Sequence, residues 1–467
     1  MSAHPLHPDT IAIEDLTTHE VGDLSLWIGK QKEYHNVPNY VSNELCQRTS
    51  PLPSVSELLP STSLPVLQLL EFPTPRITST ILGITPDTLF TFYAATHSSL
   101  ECCQITAPTR DFLIQLRALA GQAMLDGKVS IQHWDRRDVF LPFDAIGTWA
   151  YILEIDTAKK AWIDALRWME EEDHTIPENY TTRIKSLLCH VPWKDYIKGL
   201  GSGLTTTEMA TFLSKKWLSD SHIHTMLAVT RHLRHDVLSY AGPCIEIASP
   251  DFVSHVLNSP LLSATHITPD YSRNAPKSVI RLGDKIKCAA SGIRIGAVAY
   301  SPENHWACLL IDSQARTIQW GDSLGHAMPA ASEGRLRAWL SLFLPHTQFL
   351  PLQSLSCACQ SDSYSCGIIA VNTLKHHLFG DNLWTLPRRE TLRIEEFLDI
   401  MEFSASWKSS VSVSAPSMHP YQTLIKRTAI YDRCHASSNH DPCLPCLRVF
   451  PIAGFMQRLP HIPNCDL

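Results

Sequence analysis

A cysteine at the start of an apolar helix is a candidate nucleophile, and Cys366 holds that place in the run Gln360-Ser361-Asp362-Ser363-Tyr364-Ser365-Cys366-Gly367. Ile368, Val371, Leu374 and Leu378 fall on one face at helical spacing, no Pro or Gly interrupts 368–379, and Gly380 stands where the helix should stop. Unpaired amides at a helix N-terminus favour negative charge, and so favour thiolate, the reactive species. A nucleophile needs a base, and the base needs an orienting group. His305 lies between two β-like runs, 294–301 and 306–311, and Asp322 follows a third, 316–320. A histidine at the head of one strand and an aspartate at the tail of its hairpin partner can lie side by side. Gln360, six residues before the thiol, has a side-chain amide able to donate to an oxyanion, a contact whose loss typically costs on the order of a hundredfold to a thousandfold in rate.

Each residue alone has a plainer explanation. A free cysteine near an apolar helix is usually a small buried hydrophobe, an aspartate before Ser323 and Gly325 suits a turn, and tryptophans mostly fill cores. The combination is more specific. His305-Trp306, then Gly321-Asp322-Ser323-Leu324-Gly325, then Gln360 to Cys366-Gly367 resembles the catalytic core of the ubiquitin-like-protein (SUMO/sentrin-specific) cysteine protease family, with its adenain-like fold. Upstream, Trp217-Leu218-Ser219-Asp220 is similar to that family's Trp-Leu-x-Asp segment. The resemblance covers about 204–404. It implies Cys366 as nucleophile, His305 as base and then acid, Asp322 as orienter and Gln360 as oxyanion donor. It also implies Trp217 and Trp306 closing over a modifier's Gly-Gly tail, and Asp220 touching the modifier surface. Ser365 departs from the acidic residue that often precedes the nucleophile in the family, and is expected to cap the helix instead.

The function so implied is cleavage after the C-terminal Gly-Gly of a SUMO-type modifier, either deconjugation or precursor processing, without a cofactor. Two rivals stand beside it: a mobile-element or virus-like peptide protease of the same fold, and a catalytically silent modifier-binding module. An acyltransferase on the same triad lacks any cofactor motif. Net charge of −7 over 467 residues provides no basic field for nucleic acid. No run reaches the apolar length of a membrane helix. Fourteen cysteines without framework spacing, and no N-terminal stretch joining a charged start to an apolar core, predict a reducing compartment, nucleus or cytoplasm.

These residues require an α+β domain, a papain-like or adenain-like arrangement of a central mixed sheet flanked by helices, over 204–403. The expected order is a helix over 222–233, the three strands, a helix capped by Ser332 and closed by Pro345, a strand over 347–352, the Cys366 helix, and a last helix over 391–403. Residues 243–276 suit surface loops near the substrate motif. Segment 1–82, rich in Pro and Ser, is expected to be loosely structured. Region 83–198 is mostly helical, one helix capped by Thr109 or Asp111 and a longer one from Asp144, serving interaction or support, with interaction preferred. Residues 404–467 are expected to form a linker and a tail with Cys434, His435, His440, Cys443 and Cys446. Only Cys443-x-x-Cys446 has zinc spacing, so the tail is expected to be metal-free.

Overall fold

The strand-forming runs around His305 pair into the centre of a five-stranded mixed sheet. The computed structural model describes residues 24–411, apart from 31, 53–56, 79–80, 82, 172–175, 202, 235–243, 263–270 and 302–303. Three short strands, β1 (Phe90–Thr91), β2 (Ser130–Gln132) and β3 (Phe140–Leu141), form a small antiparallel sheet in the N-terminal half. The large sheet has the order β4-β5-β6-β7-β8: β4 (Cys244–Ile247), β5 (Ile293–Ser301), β6 (His305–Asp312), β7 (Thr317–Asp322) and β8 (Gln353–Ser354). β5, β6 and β7 are antiparallel, and the edge strands β4 and β8 run parallel to their neighbours.

Alternation along β6 divides the core. Trp306, Cys308 and Leu310 belong to one apolar cluster, and Ala307, Leu309 and Ile311 to a second on the other face. The helices that follow are α1 (Asn39–Arg48), α2 (Val66–Glu71), α3 (Arg110–Leu125), α4 (Ala145–Glu171), α5 (Glu178–Leu188), α6 (Asp220–Leu233), α7 (Lys277–Cys288), α8 (Ala330–Phe343), α9 (Cys366–Phe379) and α10 (Arg389–Val411). α7 and α8 cover the second face; α9 lies on the first. Gly296 of β5 permits that approach, because a Cβ there would stand 2.8 Å from Leu378 and 3.0 Å from Leu374 of α9. Gly380 ends α9 at φ 79°, the left-handed conformation that favours glycine. The fold is thus α+β, with a mixed sheet flanked by helices and a helical region before it.

Several expectations need correction. Residues 24–82 are not loosely structured where described: α1 and α2 bury Val41, Leu45, Val66 and Leu69 completely. These apolar residues come in helical register despite the surrounding prolines, and α3 supplies the surface for α1 and α4 the surface for α2. Thr49 and Pro51 run so close over α4 that a Cβ on Gly147 would lie 2.4 Å from their backbone atoms. The segment after 243 is not only loop. Cys244–Ile247 joins the sheet, and Phe252, Val256, Leu257 and Tyr271 are buried in the second cluster. α7, with Val279, Leu282 and Ile286 buried, was not foreseen. The strand expected over 347–352 is instead the two-residue β8 at Gln353–Ser354. The last helix runs past 404 to Val411, and the Cys/His tail lies outside the described residues.

The helical region packs on the half that carries the five-stranded sheet. The described residues from Leu24 to Ser409 form one compact unit, and one apolar cluster runs from Leu24 to Phe403. Trp162 of α4, fully buried, meets Phe397 of α10 edge-on at 6.3 Å. Tyr180 of α5 donates to Glu395 Oε1 at 2.9 Å, and Arg183 pairs with Glu402 at 2.6 Å. Removing an aromatic side chain of this kind typically costs about 3–5 kcal/mol. Thr109 caps α3, its hydroxyl accepting from the Phe112 amide at 3.4 Å.

Candidate active site

The site forms where the N-terminus of α9 meets the ends of β6 and β7. In the sheet Asp322 pairs with Ala307, which places its carboxylate diagonally across from His305, two residues earlier on the same face. His305 Nε2 lies 3.1 Å from Asp322 Oδ1, with the oxygen off the axis of the ring N–H. Such contacts often tighten only when substrate binds. The Cys366 side chain acts on the same ring and favours its protonated form, and with Nε2 turned to Asp322, Nδ1 is the nitrogen left for sulfur. Cys366 is a free thiol and the first residue of α9, where backbone amides have no intrahelical acceptor. All three residues are buried: 1% of Cys366, 3% of His305 and 7% of Asp322 is exposed.

Burial alone would lower the imidazole pKa. The hydrogen bonds and charges of Asp322 and Cys366 outweigh it and push His305 up to about 9, so the ring is an imidazolium at neutral pH. Burial raises Asp322, but His305 and the backbone amides of Leu324 and His326 more than offset this and hold the carboxylate below its usual range. The Leu324 amide donates to Oδ1 at 2.8 Å. A buried row of carboxylate, imidazole ring and cysteine sulfur, with one proton shared between ring and sulfur, can carry out nucleophilic acyl transfer.

Gln360 is fixed at both ends of its amide. Oε1 accepts from Ser323 Oγ at 2.8 Å, and Nε2 donates to the Asp362 carbonyl at 2.7 Å. The backbone amide of Gln360 donates to the Ser323 carbonyl at 3.0 Å, stapling the nucleophile loop to the residue after Asp322. One Nε2 proton remains for an oxyanion. Ser365 does not cap α9. Its hydroxyl donates to Asp362 Oδ2 at 2.7 Å, while Asp362 Oδ1 accepts from the Tyr364 and Ser365 amides at 3.0 and 2.8 Å. Asp362 thus builds the turn that presents the thiol, since a carboxylate two or three residues before an amide is well placed to accept from it.

Trp217 stacks on Trp306, with ring centroids 5.5 Å apart and planes at 17°, and Tyr300 meets both rings. Trp306 Nε1 donates to the Leu218 carbonyl at 2.9 Å, tying strand β6 to the Trp217 segment. Asp220 is exposed at the first turn of α6, beside a small cleft that Tyr300 and Trp306 also line. Six of the seven residues singled out in the sequence are therefore at or beside the thiol cluster, and Asp220 lies at the edge of the aromatic wall.

Three positioning residues escaped the sequence reading: Ser323, Asp362 and Arg393. Arg393 of α10 is 1% exposed. It donates to the carbonyls of Phe212, Thr211 and Lys216 at 2.9, 2.7 and 3.0 Å, and its guanidinium lies over the Tyr364 ring at 5.6 Å. One side chain thereby holds both the Trp217 segment and the nucleophile loop. An arginine near the start of a helix carries no local sign of such a task, whereas Ser323 and Asp362 lay inside motifs already quoted.

No family profile matches the chain, and no curated protein matches it significantly. Among solved structures, the chain is similar to the C-terminal Ulp1 protease domain in complex with Smt3, the yeast ortholog of SUMO. That match has 19% identity, covers 49% of this chain and 96% of that one, and has a TM-score of 0.36. It is also similar to the Chaetomium thermophilum Ulp1-like SUMO protease catalytic domain, with 14% identity, 49% and 90% coverage and a TM-score of 0.34. An ASFV protease matches at 11% identity, 48% and 76% coverage and a TM-score of 0.24.

Proposed function

We propose that this chain is a cysteine-type isopeptidase that cleaves after the C-terminal Gly-Gly of a SUMO-type modifier. The observation that carries the reading is His305 in contact with both Asp322 and Cys366 at the start of α9. The sequence resemblance supplies the substrate class. In this mechanism Cys366 sulfur attacks the carbonyl carbon of the terminal glycine. Gln360 Nε2 and the Cys366 amide hold the oxyanion. The His305 imidazolium donates its proton to the leaving amine, of a target lysine or a precursor peptide. Neutral His305 then takes a proton from water, whose oxygen attacks the thioester, and the returning proton leaves the thiolate–imidazolium pair restored.

The stacked Trp217 and Trp306 and the near-complete burial of Cys366 support selection by exclusion, because two glycines fit a passage that side chains do not. Asp220, exposed beside that wall, is the contact for the modifier surface. The helices of 83–198 support α10, and through Arg393 the site. A reaction that needs Cys366 reduced belongs in the nucleus or cytoplasm. The test is covalent labelling by a panel of modifiers carrying a C-terminal electrophile, SUMO and ubiquitin among them. SUMO should label the wild-type chain, and Cys366→Ala should not be labelled. Labelling that survives the substitution removes Cys366 as nucleophile. Cleavage of peptide substrates with no modifier labelled would favour the peptide-protease reading instead.

A further inference from the structure

His305 opens β6, and the sheet order gives that strand a different neighbour on each side. On the β5 side Tyr300 meets Trp217 and Trp306, the aromatic wall. On the β7 side the chain leaves Asp322 through the turn Ser323-Leu324-Gly325-His326. Four hydrogen bonds brace this turn. The Leu324 amide donates to Asp322 Oδ1 at 2.8 Å, and the Gly325 amide donates to the Asp322 carbonyl at 2.9 Å. Trp320 Nε1 donates to the His326 carbonyl at 3.1 Å, and the Gln360 amide to the Ser323 carbonyl at 3.0 Å. A surface fixed in this way binds without first having to be ordered. Two of its side chains are exposed. Leu324 is 48% exposed, and the exposed His326 ring meets His305 edge-on, with centroids 6.1 Å apart.

An exposed leucine alone is ordinary. Its place beside the departing group is what singles this one out. The amine that takes the proton from His305 must come within hydrogen-bond reach of that ring, about 3 Å. Extended chain covers about 3.3–3.6 Å per residue, so about two residues attached to that nitrogen span the distance from His305 to His326. A modifier tail lying along the aromatic wall leaves only the other side for what it is attached to, because the two substituents of the attacked carbonyl point apart.

We propose that Leu324 and His326 form the leaving-group side of the site, where an apolar residue next to the target amine packs on Leu324 and the adjoining backbone hydrogen-bonds to the His326 imidazole. The proposal rests on the isopeptidase reading above. A neutral imidazole offers one donor and one acceptor, which matches a peptide group. Selection then extends from the modifier to the segment that carries it.

The test pairs two reactions of the full chain. One is labelling of Cys366 by SUMO ending in a propargylamide, to which the thiol adds with nothing leaving. The other is cleavage of SUMO joined through an isopeptide bond to the lysine of a decapeptide with leucine beside that lysine. In Leu324→Ser and in His326→Ala, kcat/KM for the conjugate should fall about tenfold or more beyond any fall in labelling rate, the usual scale for one lost apolar or polar contact. Replacing the leucine of the peptide by serine should lower kcat/KM in the wild type and not in Leu324→Ser. Both altered side chains are exposed, so one variant serves if the other does not fold. Equal falls in the two reactions would place these residues behind His305 or against the modifier, and unchanged cleavage would leave them as plain surface; either overturns the proposal. A wild-type chain labelled by no modifier overturns the isopeptidase reading itself, and this proposal with it.

Discussion

Replacing Asp322 by Asn should move the alkaline limit of activity. His305 rises from the ordinary imidazole value near 6.5 to about 9, which corresponds to about 3 kcal/mol in favour of the imidazolium, at about 1.4 kcal/mol for each tenfold change. Asp322 and Cys366 share that stabilisation, each by a hydrogen bond and by charge. Asparagine keeps an oxygen for the Leu324 amide, bonded at 2.8 Å in the wild type, so the turn survives while the charge goes. If Asp322 supplies about half, the His305 midpoint falls by roughly one pH unit or more. The rate at neutral pH drops on the order of a hundredfold or more, because the imidazole also loses its orientation. The midpoint is read directly from the His305 ring signals in an NMR titration, and the rate from the pH profile of cleavage of a modifier bearing a C-terminal fluorophore. The same contact contributes to stability. A raised folded-state pKa stabilises fully below about 6.5, and the contribution is lost as pH rises through about 9, so urea midpoints of variant and wild type should converge above that pH. An alkaline limb and ring midpoint that stay near 9 in Asp322→Asn would refute the assignment of Asp322 as the orienting charge.

Ser323→Ala frees the Gln360 amide, whose oxygen Ser323 holds at 2.8 Å, and should lower kcat about tenfold or more with KM and melting temperature nearly unchanged. An unchanged kcat in steady-state assays would mean that Gln360 needs no such support. Arg393→Met leaves the carbonyls of Thr211, Phe212 and Lys216 without their donor, and should cost about 2–4 kcal/mol in urea unfolding and raise KM by loosening the Trp217 segment. Gly147→Ala drives a methyl group against the backbone of Thr49 and Pro51, and should destabilise by about 1–3 kcal/mol. Limited proteolysis should then cut near residue 50 faster than in the wild type, and equal cutting rates would show that this segment does not depend on its seat on α4.

Much of the sheet-bearing half was legible because its signals are local. The strands expected over 294–301 and 306–311 are observed as Ile293–Ser301 and His305–Asp312, and the helix expected from 222 as Asp220–Leu233. With both faces buried, β6 reads as a short continuous apolar run bounded by polar residues, and the helix from 220 keeps its 3.6-residue apolar period. Elements whose stability comes from distant partners were missed. β4 and β8 are edge strands of four and two residues, too short to leave a pattern. α1 and α2 looked like parts of a Pro/Ser-rich segment because their few apolar residues gain a core only when α3 and α4 are beside them. Ser365 looked like a cap by position, but Asp362, three residues earlier, competes for its hydroxyl and wins with a full charge.

By itself the sequence pointed to the residues proposed to carry chemistry: a cysteine at a helix start, a histidine and an aspartate at strand ends, and a glutamine six residues before the thiol. Those roles depend on residue type and on periodicity, both of which are written in the chain. Only the tertiary structure decided how the cluster is held. Antiparallel register sets Asp322 diagonally across from His305, the helix α10 brings Arg393 across 177 or more positions to the segment leading into Trp217, and the N-terminal helices brace α10 from behind. Contacts between residues so far apart have no local pattern, because their energy exists only once the chain has brought the partners together and excluded water from between them.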